Sequence, residues 1–555
     1  MKTLKYLIPV IVLYSLFTAC TKGVLDKANL SSVTADDVWK DANLTRLFLD
    51  NIYASRPGFD NANPPIVDNI ADECRIGAST GNPFNIMQGV WTPSSNYFDY
   101  WAYGDVRKAN EFIKGIKEKS TLSQALKDQY TGEAKFLRAL IYFDMIKRYG
   151  GVPIITEPQG RDDSLFVRRN TVDESYSFLF KELDEAAALL PYKDKMATGR
   201  ATKGAAMALK ARALLFYASP LYNTTNDKAR WAAAAKAAQD VMNIPGAQGY
   251  SLYSDVRRIM LDKSNSEVIF EVQYHKPDKE HGWDAQAKPL SIAIGIGPKR
   301  CPLQELVDAF PMANGKHIGQ VGSGYTEANP YVGRDLRFYA TIVYNGSEYC
   351  GRTQYSYVGH QDGIGNSFCT TTGYYQRKGV DETNKGYSSG KGSDQNWIEI
   401  RLAEIMLSYA EAQNEAVGPD ATVYSAVNAI RRRAGITPDL GAGISQDSMR
   451  NLVKNERYIE LCYEMKRYWD LRRWKVADNA KVLNGRRYTG MKISLPTGVT
   501  LPVNITTPVT TPVAWKYERV VVDPKATVFQ PYMYYMPIPS TERAKNPNLD
   551  QNPGW

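Results

Sequence analysis

Apolar residues at 136/137, 140/141 and 145/146 of the segment Glu133–Arg148 recur at a spacing near 3.6, which predicts a helix burying a wide stripe. Gly150-Gly151-Val152-Pro153 ends it, with glycines suited to a left-handed cap and a proline that cannot continue the helix. Segments 171–190 and 228–243 carry similar patterns. Ala201 to Ala218 contains Ala201, Ala205, Ala206, Ala208, Ala211, Ala213 and Ala218, small side chains that let neighbouring helices approach closely. These alanine-rich pairs read as degenerate tetratricopeptide-like units without a clean period of about 34 residues.

From His275 to Asn396 the pattern changes to Gly, Pro, Ser and Tyr with few long apolar periods. A structureless stretch of that length is uncommon, so an irregular, partly β surface module is expected there. Helical texture returns at Trp397 and runs through Glu415, followed by helices at 421–433 and roughly 446–477. After Val482 the chain is polar and rich in Pro and Thr, and it closes with Met533–Ser540 and Asn546–Trp555, a tail expected to wrap a surface in extended form. The expected fold class is therefore mainly α: a superhelical scaffold of tetratricopeptide-like helical pairs bearing an irregular, partly β central and C-terminal module. The divisions fall at 35–274, 275–396 and 397–555.

The first residues bear on location. Lys2 and Lys5 form a basic start, Tyr6 to Phe17 is apolar but too short to span a bilayer, and Thr18-Ala19 are small. Cys20 follows directly. This order resembles a bacterial lipoprotein signal, with 1–19 removed, Cys20 acylated, and 20–34 serving as a polar tether; the alternative is a secretory signal cut after Ala19. Buried acyl chains contribute ~0.8 kcal/mol per CH₂, enough in combination to hold a soluble body on a membrane. Cys74, Cys301, Cys350, Cys369 and Cys462 remain, an odd set without C-x-x-C spacing, so zinc and thioredoxin-like chemistry are not indicated. Cys350 and Cys369 flank a Gly-rich stretch and are candidates for a bridge. Cys462, among Ile459, Leu461 and Tyr463, reads as a buried thiol.

Charge and motifs remove other classes. The 68 Lys and Arg against 59 Asp and Glu give +9 in 555 residues, interspersed, with no basic block, so nucleic acid is not an expected partner. Losing 1–19 would leave +7, since it removes Lys2 and Lys5. No H-E-x-x-H or Walker sequence occurs, and no metal or cofactor is expected. Gly295-Ile-Gly297 lacks the third glycine of a dinucleotide loop. The four histidines, His275, His281, His317 and His360, lie in the turn-rich middle and read as solvated. Glu456, Glu460, Glu464 and Asp470 have the types of a glycosidase pair. Arg457, Lys466, Arg467, Arg472 and Arg473 interleave with them and lower carboxyl pKa values, so a structural network is expected, including a Lys466–Asp470 ion pair.

Four segments together resemble the SusD/RagB family of Bacteroidetes outer-membrane lipoproteins. They are Gly132–Asp144 through Gly150–Pro153; Gly199–Ala206; Arg401–Glu404 through Tyr409–Ala412; and Asn455–Glu460 through Arg467–Trp474. Val24–Lys27, Pro537-Ile538-Pro539, Asn546–Asn548 and Gln551–Gly554 fit as well. The resemblance implies a non-enzymatic surface protein that captures a nutrient, usually a glycan, and acts with a SusC-type TonB-dependent transporter. Peptide capture, as in RagB-like relatives, is the alternative; a glycoside hydrolase and a purely structural helical scaffold stand behind it.

With 36 Tyr and 10 Trp, the chain is rich in flat rings carrying a polar handle. Trp91, Tyr97, Phe98, Tyr100, Trp101 and Tyr103 crowd thirteen positions broken by Pro93, Ser94, Ser95 and Asn96, and Asp72, Glu73, Arg75 and Asn85 lie upstream. Sugars need rings against their C–H faces and polar side chains for their hydroxyls. The expected ligand contacts are therefore Asp72, Arg75, Asn85, Trp91, Asn96, Tyr97 and Trp101 in the loop 72–103. The resemblance adds the central region, where Trp283, Tyr325, Tyr331 and Tyr355 are selected.

Overall fold

A computed structural model describes residues 36–56, 58–59, 66–77, 82–96, 99–160, 162–293, 296–386 and 391–555. The expected signal, Cys20 and the tether 20–34 lie outside the described residues, as does Tyr97.

The scaffold is built from α1 (Ala42–Ala54), α2 (Tyr103–Glu118), α3 (Gln124–Tyr149), α4 (Val172–Leu189), α5 (Lys203–Ala218) and α6 (Lys228–Met242). Local chemistry starts these helices. Asp41 accepts from the Asn43 and Leu44 amides ahead of α1, and Thr171 with Glu174 forms a capping box on α4. Gly150 ends α3 at φ 76°, where a side chain is disfavoured. Successive helices from α2 to α6 pack on one another. The alanines of α5 are fully buried, and α3 is buried around most of its circumference, beyond the predicted stripe.

The chain then leaves to build the central module and returns with α7 (Leu402–Val417), which packs against both α6 and α5, followed by α8 (Ala421–Arg433), α9 (Gln446–Glu460) and α10 (Arg467–Arg473). Helices on either side of the module thus share one core. The fold is mainly α, and among the described residues the strands pair as two-stranded ribbons: β1 (Cys74–Arg75) with β3 (Cys301–Pro302), β2 (Val268–Val272) with β6 (Trp397–Arg401), β4 (Ser347–Tyr349) with β5 (Arg352–Gln354), β7 (Thr489–Ser494) with β8 (Lys516–Val521), and the two-residue pair Ile342–Val343 with Tyr375–Gln376.

Several expectations are corrected. Helix does not begin at Trp397: residues 397–401 are β6, because pairing with β2 satisfies their backbone and buries most of their side chains. The helix expected over 446–477 breaks at 461–466, where Tyr463 and Met465 adopt positive φ. Lys466 pairs with Glu399 and Glu404 instead of Asp470, which is held by Arg457 at 3.0 Å and Arg473 at 2.8 Å. His281 and His360 are buried, not solvated; His275 and His317 are exposed. Cys350 and Cys369 are free thiols, while Cys462 is buried as expected.

The module has its own core, dominated by rings: Phe59, Tyr274, Trp283, Phe338, Tyr349, Tyr357, Tyr374, Tyr375 and Trp397. Ion pairs tie it to the helices. Arg401 donates to Glu267 at 2.6 Å, Glu460 at 2.7 Å and Glu464 at 2.7 Å, and Arg337 reaches Glu456 at 2.8 Å. Burial alone raises the Glu464 carboxyl, but Arg401 and Lys378 outweigh it and hold it at about 2. The glutamates singled out from sequence are thus fully engaged in structure.

The tail docks on the helices. Asn552 donates to the Tyr149 carbonyl at 3.0 Å and the Met536 carbonyl at 2.7 Å, and Arg169 donates to the Asp550 carbonyl at 2.8 Å.

Candidate ligand-binding groove

The structure divides the sequence-selected residues between interior and surface. Arg75, 2% exposed, donates through Nε to Asp523 at 2.8 Å, and Asp72 accepts from Arg467 at 2.9 and 2.8 Å. Both tie the loop to C-terminal segments. Trp91 is buried edge-on against Trp555, with ring centroids 4.8 Å apart. Trp283, 2% exposed, has the Arg300 guanidinium 3.6 Å from its ring centroid and packs against Phe59. Tyr331 is buried, with its hydroxyl 3.3 Å from that of Tyr374. These five side chains are occupied inside the protein, because ion pairing and ring packing take the surfaces a ligand would need.

Others reach solvent. Asn85 is exposed, and Asn96, Trp101 and Tyr325 are half-buried. Trp101 packs edge-on against Tyr149 at 5.2 Å and leans on Tyr103, so its ring is rigidly placed.

Tyr355, 3% exposed, backs a groove of about 660 Å³ on the central module from inside its wall. One wall is the β4–β5 hairpin, whose turn places Cys350 and Gly351 at φ 54° and 74°. The other is the Thr- and Pro-rich strap 506–513, held by the Thr353 amide donating to the Thr506 carbonyl at 2.9 Å. The Tyr355 hydroxyl donates to the Thr507 carbonyl at 3.0 Å and accepts from the Val509 amide at 3.1 Å. Trp515 lines the same groove, its ring 6.1 Å from Tyr355 and 5.3 Å from Tyr357. Thr506, Thr507, Thr511 and Glu348 add hydroxyls and a carboxylate. Arg352, at the rim, is fixed by Ser291 at 2.6 Å and Asp362 at 2.8 Å.

This arrangement offers one accessible ring, the half-buried Trp515 braced by the buried Tyr355 and Tyr357, with hydroxyls and one exposed carboxylate in an open trough. Asp362, the acidic side chain paired to the groove's arginine among the described residues, is buried. Sequence reasoning selected Tyr355 but passed over Trp515, although a tryptophan closing a Thr/Pro run was a usable signal. A second cleft of about 620 Å³ lies between α2, α3 and α4, lined by Lys114, Lys117, Lys135 and Glu185; Phe178 is the only ring on its wall. It lacks the flat apolar faces that sugar stacking requires.

Below the 72–77 segment lies a buried acid pair. Burial raises the Asp68 carboxyl to about 6 against the pull of Arg300, 3.8 Å away. Burial also raises Glu73, aided by Asp68 and Asp72. Among the described residues, no group of His, Cys, Asp and Glu is arranged to hold a metal, and no helix is long and apolar enough to cross a membrane.

Comparison with known proteins agrees with this architecture. Residues 266–555 match the model of the SusD family, and residues 31–215 match one described as starch-binding associating with outer membrane. SusD-like protein P2 of Formosa agariphila is 23% identical over 409 residues, 70% of this chain and 73% of that protein. The crystal structure of a SusD-like protein from Bacteroides fragilis superposes with a TM-score of 0.77 at 29% identity, covering 95% of this chain and all of that one. A SusD-like carbohydrate binding protein of the same species gives 0.76 at 24% identity, covering 92% of this chain and all of that one.

Proposed function

This chain belongs to the SusD/RagB family of Bacteroidetes, and we propose that it is a lipid-anchored surface protein that binds a glycan and hands it to a SusC-type TonB-dependent transporter. The observation that carries the glycan reading is the groove: Trp515, half-buried and held against the buried rings of Tyr355 and Tyr357, lies beside threonine hydroxyls and Glu348. Preorganised rings lose little entropy when a sugar stacks on them. The named binding of the Bacteroides fragilis neighbour supports the same class.

In this reading the protein performs no chemistry. Glu456, Glu460 and Glu464, the residues closest to a glycosidase pattern, are locked by arginines, which keeps them from serving as a proton donor. Asn85, Asn96, Trp101 and Tyr325, together with Tyr97 of the same loop as Trp101, are further contacts in this reading. Cys20 carries the anchor and fixes the body to the outer membrane, facing the exterior.

Isothermal titration of the soluble body with oligosaccharide pools and, in parallel, peptide pools tests the ligand class. Heat with glycans and none with peptides is expected; the reverse outcome rejects the glycan reading in favour of RagB-like peptide capture. Detergent phase partitioning tests the anchor: Cys20→Ser should move the protein to the aqueous phase, and unchanged partitioning would remove the lipoprotein assignment. Co-purification of the intact protein with a TonB-dependent transporter, lost on mild washing only in Cys20→Ser, tests the partner.

A further inference from the structure

The turn 361–371 carries an aromatic ring pointed into water. Phe368 is 53% exposed, and its backbone sits at φ 57°, a region that bulky side chains rarely occupy. An aromatic core lies close behind it, since Thr370 donates through its hydroxyl to the Tyr374 carbonyl at 2.7 Å and Tyr374 and Tyr375 are fully buried. The ring is therefore held outside despite an apolar interior a few residues away. Strained, over-determined positions of this kind concentrate at functional sites.

The surroundings fix the turn. Asn366 donates through its side chain to the His360 carbonyl at 2.7 Å, and the Cys369 amide donates to the Asn366 carbonyl at 3.3 Å. Two glycines allow neighbouring loops to close on it. A Cβ at Gly297, itself at φ 68°, would lie 2.8 Å from the Phe368 carbonyl oxygen, and one at Gly77 would lie 2.7 Å from that of Cys369. The Gly77 amide donates to the Pro298 carbonyl at 2.9 Å, so three segments meet beneath the ring. Within the turn the other exposed side chains are polar: Gln361, Asn366 and Ser367. A lone ring among amides and a hydroxyl suits a sugar face better than a protein partner, which calls for a contiguous apolar patch of several hundred Å².

We propose that Phe368 is a second carbohydrate-stacking platform, outside the Tyr355–Trp515 groove, that engages another part of a long glycan chain. This rests on the glycan reading above and adds a site to it. Two contacts on one chain raise avidity beyond either alone, so a long polysaccharide should feel both.

The test is affinity electrophoresis of the soluble body in gels containing starch, laminarin, xylan, arabinan or pectin, run with wild type, Trp515→Ala, Phe368→Ala and Phe368→Gly. On whichever polysaccharide retards the wild type, both Phe368 variants should bind about tenfold more weakly. Phe368→Gly should melt within about 2 °C of wild type, because glycine suits the positive φ and no packed ring is lost. Retardation equal to wild type in both Phe368 variants, with Trp515→Ala impaired, overturns the platform and leaves the groove standing. A Phe368→Gly melt lowered by about 5 °C or more also overturns it, since the ring would then be structural. If none of the polysaccharides retards the wild type, the glycan reading falls and the platform with it.

Discussion

Where α5 packs on α6, both helices are rich in buried alanine: Ala205, Ala208, Ala211 and Ala213 on one, Ala234, Ala235 and Ala238 on the other, all nearly inaccessible. In the central module the same task falls to Trp283, Trp397, Tyr349, Tyr374 and Tyr375, stitched by ring contacts and by arginines over their faces. Regular helices can be brought together by small side chains, because their backbones already satisfy one another. Irregular loops leave wider, uneven gaps, and large rings with polar tips fill them while bonding stray backbone groups. The Tyr349 hydroxyl donates to the Gln376 carbonyl at 3.2 Å, and that of Tyr375 donates to the Asp362 carbonyl at 2.7 Å. An abundance of tyrosine in this chain is therefore first a way to pack loops; at the groove and at the exposed turn the rings that reach solvent are Trp515 and Phe368.

The comparison breaks most readily where the two regions are joined. Arg401→Ala removes one cation from among Glu267, Glu460 and Glu464 and leaves three buried carboxylates short of a partner. Losing one member of a buried ion network costs about 3–5 kcal/mol, so urea denaturation should show a large fall in midpoint. A fall under about 1 kcal/mol would show that the regions do not depend on this junction.

Within the groove the effect should be on binding. Trp515→Ala should weaken the cognate glycan roughly thirty-fold, about 2 kcal/mol, as expected for a central aromatic anchor. Calorimetry measures it; an unchanged dissociation constant would move the site off the module.

In the helical region, Ala208→Leu should cost about 1–3 kcal/mol through overpacking while glycan affinity stays as in wild type. Thermal melts beside the same titration separate the two readouts. Lost affinity at unchanged stability would show that the helical pairs touch ligand.

The smallest effect sharpens the picture inside the module. Burial holds His281 down to about 3, its imidazole stacked on Phe59 at 3.9 Å. The folded state thus resists a proton that the unfolded chain accepts near pH 6.5, so stability from this group is complete above that pH and is lost as the pH falls toward 3, at up to about 1.4 kcal/mol per unit. Asp68, raised to about 6, acts oppositely: its contribution is complete below about pH 4 and is lost as the pH rises through 6. Urea midpoints from pH 4 to 7 should therefore change little in wild type. His281→Gln should expose the Asp68 trend, with stability falling as the pH rises; a flat profile in that variant contradicts the assignment.

Much of the architecture was legible from the chain. The 3.6 spacing of Phe136, Leu137, Leu140, Ile141, Met145 and Ile146, ended by Gly150, marks α3, and the alanines of 201–218 announce close packing. The return of helix was misread at Trp397-Ile-Glu-Ile-Arg401, where the partner strand lies some 130 residues earlier at Val268–Val272. Among the candidate ligand residues, Trp91, Trp283, Tyr331 and Tyr355 are rings in turn-rich sequence, and packing puts all four inside.

The sequence by itself determined the helical pairs, their caps and stops, and the family, because those depend on local spacing and on short segments read in order. Tertiary structure alone decided which carboxylate meets which arginine, which of two neighbouring rings faces water, and that Tyr355 and Trp515, 160 positions apart, share a groove. Periodicity reports which face of an element is apolar, but a ring in an irregular loop has no periodicity. Its exposure is set by partners far away in the chain, which only the folded geometry brings into contact.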